Sequence, residues 1–477
     1  MDIALGTVPL GDAAKPAPRG VIRAAAVALL VALGIALSAP YYPERFSDFR
    51  AFYCAGRAVL EGADPYRAHP LTECERSVRA PALSRLRDGV AVPAPFPGYV
   101  LALFALMALL PFGWALGLWT AAACGATGVA TWLLARLTAT PPAAAAIVIA
   151  FPAATVALPL GQLTPFVLLA IVGAACLLQA GRRRAASLAA LGALLDPHVG
   201  VALALGLFAA VPRTRLTLVM GVAALVALGL TVSGPQHEWE YVSAVLPAHA
   251  LANVADSWQF SATNFAYVAG LPARAAFAVG SIWYAAALTV GIGIAVRLRS
   301  RLGIAAAALI PPAFAVFGGT HTHLAQLALA VPAFLLAVSN ARGKQRDVLA
   351  IVTFVAATPW LLIGPFPLLF PAAAVLGVAY ARSMNCARGA PALGAASLAT
   401  LALIFIGIVH ANAPRAGFDA RISGNPLAEA AWQIAVLARN SPPDSWCIFA
   451  KGPTVIAFLA LFAALIGAAR RGAAREC

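Results

Sequence analysis

The 477-residue chain is 62% hydrophobic and 11% charged, against roughly 25% charged residues in an ordinary soluble domain, so a soluble globular protein is excluded. A formal charge of +15 would suggest nucleic acid in a soluble chain. Here most Arg and Lys sit in short connections between apolar runs, so membrane topology accounts for the charge and no nucleic-acid partner is expected.

The long apolar runs recur from Val21 to Ala469, which predicts an all-α polytopic membrane protein. A basic tail, 1–23 with Lys15, Arg19 and Arg23, precedes a first span at 24–40. That span has the length of a signal peptide and a small-residue site near 36–40. An uncleaved anchor is the expectation, because many further spans follow.

Residues 46–67, FSDFRAFYCAGRAVLEGADPYR, come next. Phe49, Phe52, Tyr53, Val59 and Leu60 recur at helical spacing, Ser47 is placed as a cap, and Asp48 falls in the first turn, where the helix dipole favours a carboxylate. Gly62 ends the helix and Asp64-Pro65-Tyr66 turns the chain. The expectation is an amphipathic helix in the membrane interface, apolar face toward lipid, with Asp48 at the water boundary. A polar loop with Arg76, Arg79, Arg85 and Arg87 then runs to the proline-rich 92–99. Residues 41–97 hold seven of the chain's eighteen acids, which makes this loop the place to look for acid–base chemistry.

Fourteen apolar segments follow, from 99–112 to 453–469. Several fall short of the ~20 residues a bilayer requires. The pair 185–196 and 198–211, split at Asp196-Pro197-His198, predicts broken helices whose ends line a cavity, because irregular backbone at depth must be buried or wet. Basic clusters at 182–184, 213–215, 297–301, 342–346, 382–388 and 470–475 are taken as cytoplasmic. The opposite helix ends then gather on the outer side: loop 41–97, Gly161-Gln162, Asp196-Pro197-His198, loop 234–273, the turn 319–323 with His321 and His323, and loop 412–452. With Arg136 inside, segment 99–112 must dip and return. Cys54, Cys74 and Cys447 fall in outer loops, where one disulfide can form; the pairing stays open. No P-loop, dinucleotide fingerprint or metal-ligand spacing is visible.

Together, D-F-x-x-F-Y-x-A-x-x-A-x-x-x-G-x-D-P-Y-R at 48–67, Pro-Phe-Pro-x-Tyr at 95–99, Gly161-Gln162, the break at 196–198, Asn264 after Trp258, and the turn 321–323 resemble glycosyltransferase family 87 (DUF2029) over about residues 20–410. The resemblance implies a GT-C-type membrane fold of about 11–14 transmembrane or half-membrane helices. It divides the chain into the tail 1–23, a membrane domain 24–411 with a catalytic loop 41–97, an outer loop 412–452, and a last span and tail 453–477. It also implies a polyprenyl-phosphate sugar donor, mannose first, and a lipid or glycan acceptor on the outer face of the cytoplasmic membrane.

In this reading Asp48 is the general base for the attacking hydroxyl, with inversion at the anomeric carbon, and no metal or other cofactor is expected. Arg50, Tyr53, Asp64, Tyr66, Arg67, Gln162, Asp196, His198, Asn264, His321 and His323 are the candidate substrate contacts. The family commonly has lysine where this chain has Asp196. His198, an Arg of the first loop, or a different donor are the open alternatives for that role.

Each candidate also has a plainer role. Asp48 can simply favour a helix start, Asp64 and Tyr66 form a turn, Gln162 caps a span, and Asp196 pairs with His198 in a structural break. The rival functions are a same-fold transferase with another donor such as polyprenyl-phosphate arabinose, a transporter or flippase, or a scaffold. Against a transporter, charged groups are nearly absent from mid-span positions.

Overall fold

A computed structural model describes residues 45–78, 91–256, 258–363, 369–386, 424–440 and 446–476. The expected first span, Arg79, Arg85, Arg87 and segment 391–411 lie outside the described residues, as do the surroundings of Cys447. Among the described residues the regular elements are helices, with two isolated β-bridges, Arg67 to Leu427 and Gln259 to His323.

The first described stretch holds α1 (Ser47–Leu60) and α2 (Ala68–Ser77). Next come α3 (Gly98–Ala108), α4 (Phe112–Leu137), α5 (Pro142–Leu160) and α6 (Thr164–Gln179). α7 (Arg183–Gly192) and α8 (Pro197–Ala210) flank the break at Asp196, and α9 (Pro212–Val232) is long. Three short helices follow: α10 (Gly234–Glu240), α11 (Leu246–Ala252) and α12 (Ala262–Val268). Then follow α13 (Ala273–Leu298), α14 (Ala306–Gly318), a 3-10 turn at Leu324–Ala330, α15 (Val331–Asn340) and α16 (Gly343–Ala357). The series ends with α17 (Trp360–Ile363), α18 (Leu369–Ser383), α19 (Ala428–Asn440) and α20 (Trp446–Glu476).

α4, α5, α9, α13 and the stretch Lys451–Arg470 of α20 are long and apolar enough to cross a membrane. The chain is an all-α polytopic membrane protein. α9 exposes Leu216, Val219, Met220 and Val226, as a lipid-facing helix does, whereas α5 is buried along most of its length. α14 is apolar all round and sits inside, against α6, α8, α13 and α15. A helix apolar on every face belongs in an interior. The break before α8 meets the turn after α14 through Asp196 and Gln326, and the turn before α6 meets α1 through Gln162 and Asp48.

α1 differs from the interfacial helix expected. It is not laid on lipid: Phe49, Ala51, Phe52, Tyr53, Cys54 and Ala55 are buried in a core of their own with Phe96, Phe104 and Trp119. Small residues permit this. A Cβ on Gly56 would lie 2.2 Å from the Phe104 carbonyl carbon, so α1 and α3 approach backbone to backbone. Burying each large aromatic contributes about 1.5–3 kcal/mol. Ser47 does not cap the helix; Phe46 holds the cap position with φ 57°, and its N–H donates to the Pro159 carbonyl at 2.7 Å. Gly62, at φ 68°, ends the helix as expected. Cys54 and Cys74 form a disulfide between α1 and α2, with Cα atoms 5.6 Å apart.

The supposed loops 68–97 and 412–452 also contain the helices α2 and α19, and α20 begins at Trp446, before the expected 453. Residues 66–68 and 426–428 pair through backbone: Ala428 N–H donates to Tyr66 O, and Ala68 N–H to Pro426 O. An element so fixed to a distant one need not show a periodic pattern of its own.

Candidate active site

Asp48 and Gln162 are 114 residues apart in sequence, and three contacts bring them together. Phe46 N–H reaches Pro159 at the end of α5. Gly161, at φ 73°, turns the chain there, and its Cα faces Phe49 so closely that a Cβ would lie 2.6 Å from the Phe49 Cβ. Trp119 stacks on Phe49 at 5.3 Å and donates its indole N–H to the Gly161 carbonyl at 2.9 Å. Gln162 Nε2 then donates to Asp48 Oδ2 at 2.5 Å, and Ser47 Oγ donates to Asp48 Oδ1 at 2.9 Å.

The Asp48 carboxyl is half-buried, and loss of solvent raises its pKa above the ordinary aspartate value. The Ser47 hydroxyl, the His323 imidazole, the Gln162 amide and the Arg50 guanidinium oppose that rise. A carboxylate raised by burial yet ringed by donors is suited to accept a proton.

Across from it, the break before α8 holds Asp196, whose Oδ1 accepts from His198 Nδ1 at 2.8 Å. Asp196 Oδ2 accepts from Gln326 Nε2 at 2.6 Å, and Gln326 Oε1 accepts the His323 backbone N–H at 2.8 Å. On the other side of the same turn, Gln259 Oε1 accepts the Thr322 N–H at 2.8 Å, and its Nε2 lies 3.2 Å from His323 Nδ1. The His321 and His323 rings are edge to face at 4.4 Å, and His321 Nε2 meets His249 Nε2 at 3.2 Å. Four of the seven histidines thus gather in one place. Burial, followed by the neighbouring His323, lowers His249 to about 3, and burial, followed by His249, drives His321 well below the ordinary value.

Two polar atoms beside Asp196, His198 Nε2 and Tyr241 Oη, are buried with no hydrogen-bond partner among the described residues. Arg50 Nε also makes no hydrogen bond, but it lies against the Glu75 carboxylate. Orphaned buried polar groups are rare enough that a bound ligand is a natural partner for them.

The other candidates stand apart. Tyr53 donates to the Leu110 carbonyl and Tyr66 to the Phe96 carbonyl, so both hydroxyls are spent on backbone. Arg50 faces Glu75 of α2 at 3.6 Å. Asn264 is buried, donating to the Val254 and Asp256 carbonyls and accepting from Lys451 Nζ at 2.7 Å.

Asp64 accepts from the Tyr66 N–H and from Arg67, which also donates to Glu240 at 2.6 Å. Asp64, His237 and Glu240 are spaced closely enough for a metal ion. The Arg67 guanidinium already lies on two of those carboxylates.

His249, Gln259, Gln326 and Asp256 were not singled out in the sequence. Gln326 had a signal: like Gln162, it is a polar residue at the end of an apolar segment, where polar side chains are costly and so mark a candidate site.

Residues 96–301 match the model of glycosyltransferase family 87. No curated protein and no solved structure matches the chain. The family 87 match indicates a membrane glycosyltransferase, and so a sugar donor and an acceptor. The matched stretch contains Gln162, Asp196, His198, His249, Gln259 and Asn264. Asp48 and the 321–326 turn lie outside it and join it through the contacts above.

Proposed function

We propose that this chain transfers a hexose, mannose first, from a polyprenyl-phosphate sugar to a lipid or glycan hydroxyl on the extracytoplasmic face of the cytoplasmic membrane. The observation that carries the reading is the Asp48 carboxylate, raised by burial, held by Gln162 and faced by the histidine turn. The acceptor hydroxyl gives its proton to Asp48 as its oxygen attacks the anomeric carbon. The bond to the lipid phosphate breaks on the opposite side, and one direct displacement inverts the centre. The phosphate leaves as an anion, and the unpartnered Tyr241 Oη and His198 Nε2, the latter in the imidazolium form that the Asp196 carboxylate favours, are the groups that meet it. Preorganised donors of that kind replace a metal in stabilising developing charge. The Cys54–Cys74 disulfide supports an outward-facing site, since such bonds persist in oxidising compartments.

The test supplies membranes bearing the protein with labelled polyprenyl-phosphate mannose or polyprenyl-phosphate arabinose and determines the anomeric configuration of the product. Transfer of mannose with inversion is expected. Transfer of arabinose alone would replace the donor, and retention would overturn the single-displacement mechanism.

A further inference from the structure

Gln326 makes two hydrogen bonds at once, one as an acceptor and one as a donor. Its oxygen accepts the His323 backbone N–H, and its nitrogen donates to Asp196 Oδ2. Asp196 and Gln326 are 130 residues apart, on the break before α8 and in the turn after α14. The amide is therefore the joint between two outer helix ends. Asp196, with one oxygen on Gln326, turns its other oxygen to His198 Nδ1, and that contact leaves His198 Nε2 as the buried, unpartnered atom.

Resting on the donor reading above, we propose that Gln326 is a positioning residue. It keeps Asp196 oriented so that His198, as the imidazolium that a paired carboxylate favours, presents its Nε2–H to the phosphate of the lipid-linked donor, and it holds the His323 turn against the same space. Gln326 touches no reacting atom; it acts through Asp196 and His198.

Replacement by glutamate keeps the size and the acceptor for the His323 N–H but sets a second carboxylate oxygen where the amide nitrogen meets Asp196. Two carboxylates at that separation hold one proton between them, and the pair takes it up at a raised pH. While the proton is held, an O–H again donates to Asp196. Once it is lost, repulsion frees Asp196 from His198. The other titratable groups beside Asp196 are His198 and the phenols of Tyr99, Tyr241 and Tyr284. Ordinary phenols keep their protons to about pH 10. His323 is faced by Asp48, Asp256 and His321.

The experiment measures sugar transfer from polyprenyl-phosphate mannose by the full-length protein across pH 5–9, for wild type, Gln326→Glu and Gln326→Leu at equal abundance. For Gln326→Glu we expect near wild-type kcat/KM at the acid end and a loss of about tenfold or more above neutrality, carried by KM for the donor. For Gln326→Leu we expect a loss at every pH. A Gln326→Glu profile parallel to wild type, or a uniform loss in it like that of Gln326→Leu, overturns the positioning role. No transfer by the wild type defeats the donor reading instead, and is distinguished by that fact.

Discussion

The Asp48 carboxylate is pulled two ways, upward by burial and downward by the donors around it, and Gln162 is the donor that can be removed with least disturbance. Gln162→Leu takes away a hydrogen bond to the ionised form, so the Asp48 pKa rises further. A base works only when ionised, so activity climbs with pH through that pKa. The acid limb of the kcat/KM profile in Gln162→Leu is therefore expected at higher pH than in wild type, and an unmoved limb would separate Gln162 from the base. Asp48 and Gln162 were both legible as polar residues flanking apolar spans. Their contact was not, because nothing local records a pairing across 114 residues. The histidines of the 321–323 turn could be read as a pair, but the glutamines that clamp that turn look like ordinary polar residues until the helix ends are set side by side.

The position of α1 depends on three attachments: the disulfide to α2, the close approach at Gly56, and the docking of 45–49 on the end of α5. Removing the disulfide by Cys54→Ser is expected to cost about 2–4 kcal/mol of stability, read as a lower melting temperature, with transfer activity falling at temperatures where the wild type is intact. The helix itself was predicted from its spacing. Its burial was misjudged because an apolar face shows that a helix must bury something, not whether lipid or protein covers it.

α19 makes a second prediction. Glu429 is buried, its Oε2 has no hydrogen-bond partner among the described residues, and burial first, then the nearby Asp64 and Glu240, raise it to about 8. A carboxyl whose folded pKa exceeds its unfolded value favours folding fully below the unfolded value of about 4.5, and that advantage is lost as pH rises through about 8. Glu429→Gln should therefore melt at a higher temperature than wild type at pH 8–9, with the difference shrinking toward pH 5. A difference independent of pH would contradict the buried-proton account.

At the scale of the molecule, composition fixed the class, since a chain this apolar and this sparsely charged has few places to go but the bilayer. The broken helix at Asp196-Pro197-His198 was also legible, because a carboxylate and a proline inside an apolar stretch cannot continue a helix unmarked. The helices α2 and α19 were not, since both take their order from partners elsewhere: α2 through Cys54, and α19 through the backbone of 66–68. What the short helices achieve together is to bring turns from across the chain toward one carboxylate. The measurement that tests this most directly is transfer of labelled mannose from polyprenyl-phosphate mannose by membranes containing wild type or Asp48→Asn at equal, folded abundance. The account predicts that the substitution lowers transfer by about 10²–10⁴-fold; transfer by Asp48→Asn at the wild-type rate would contradict it.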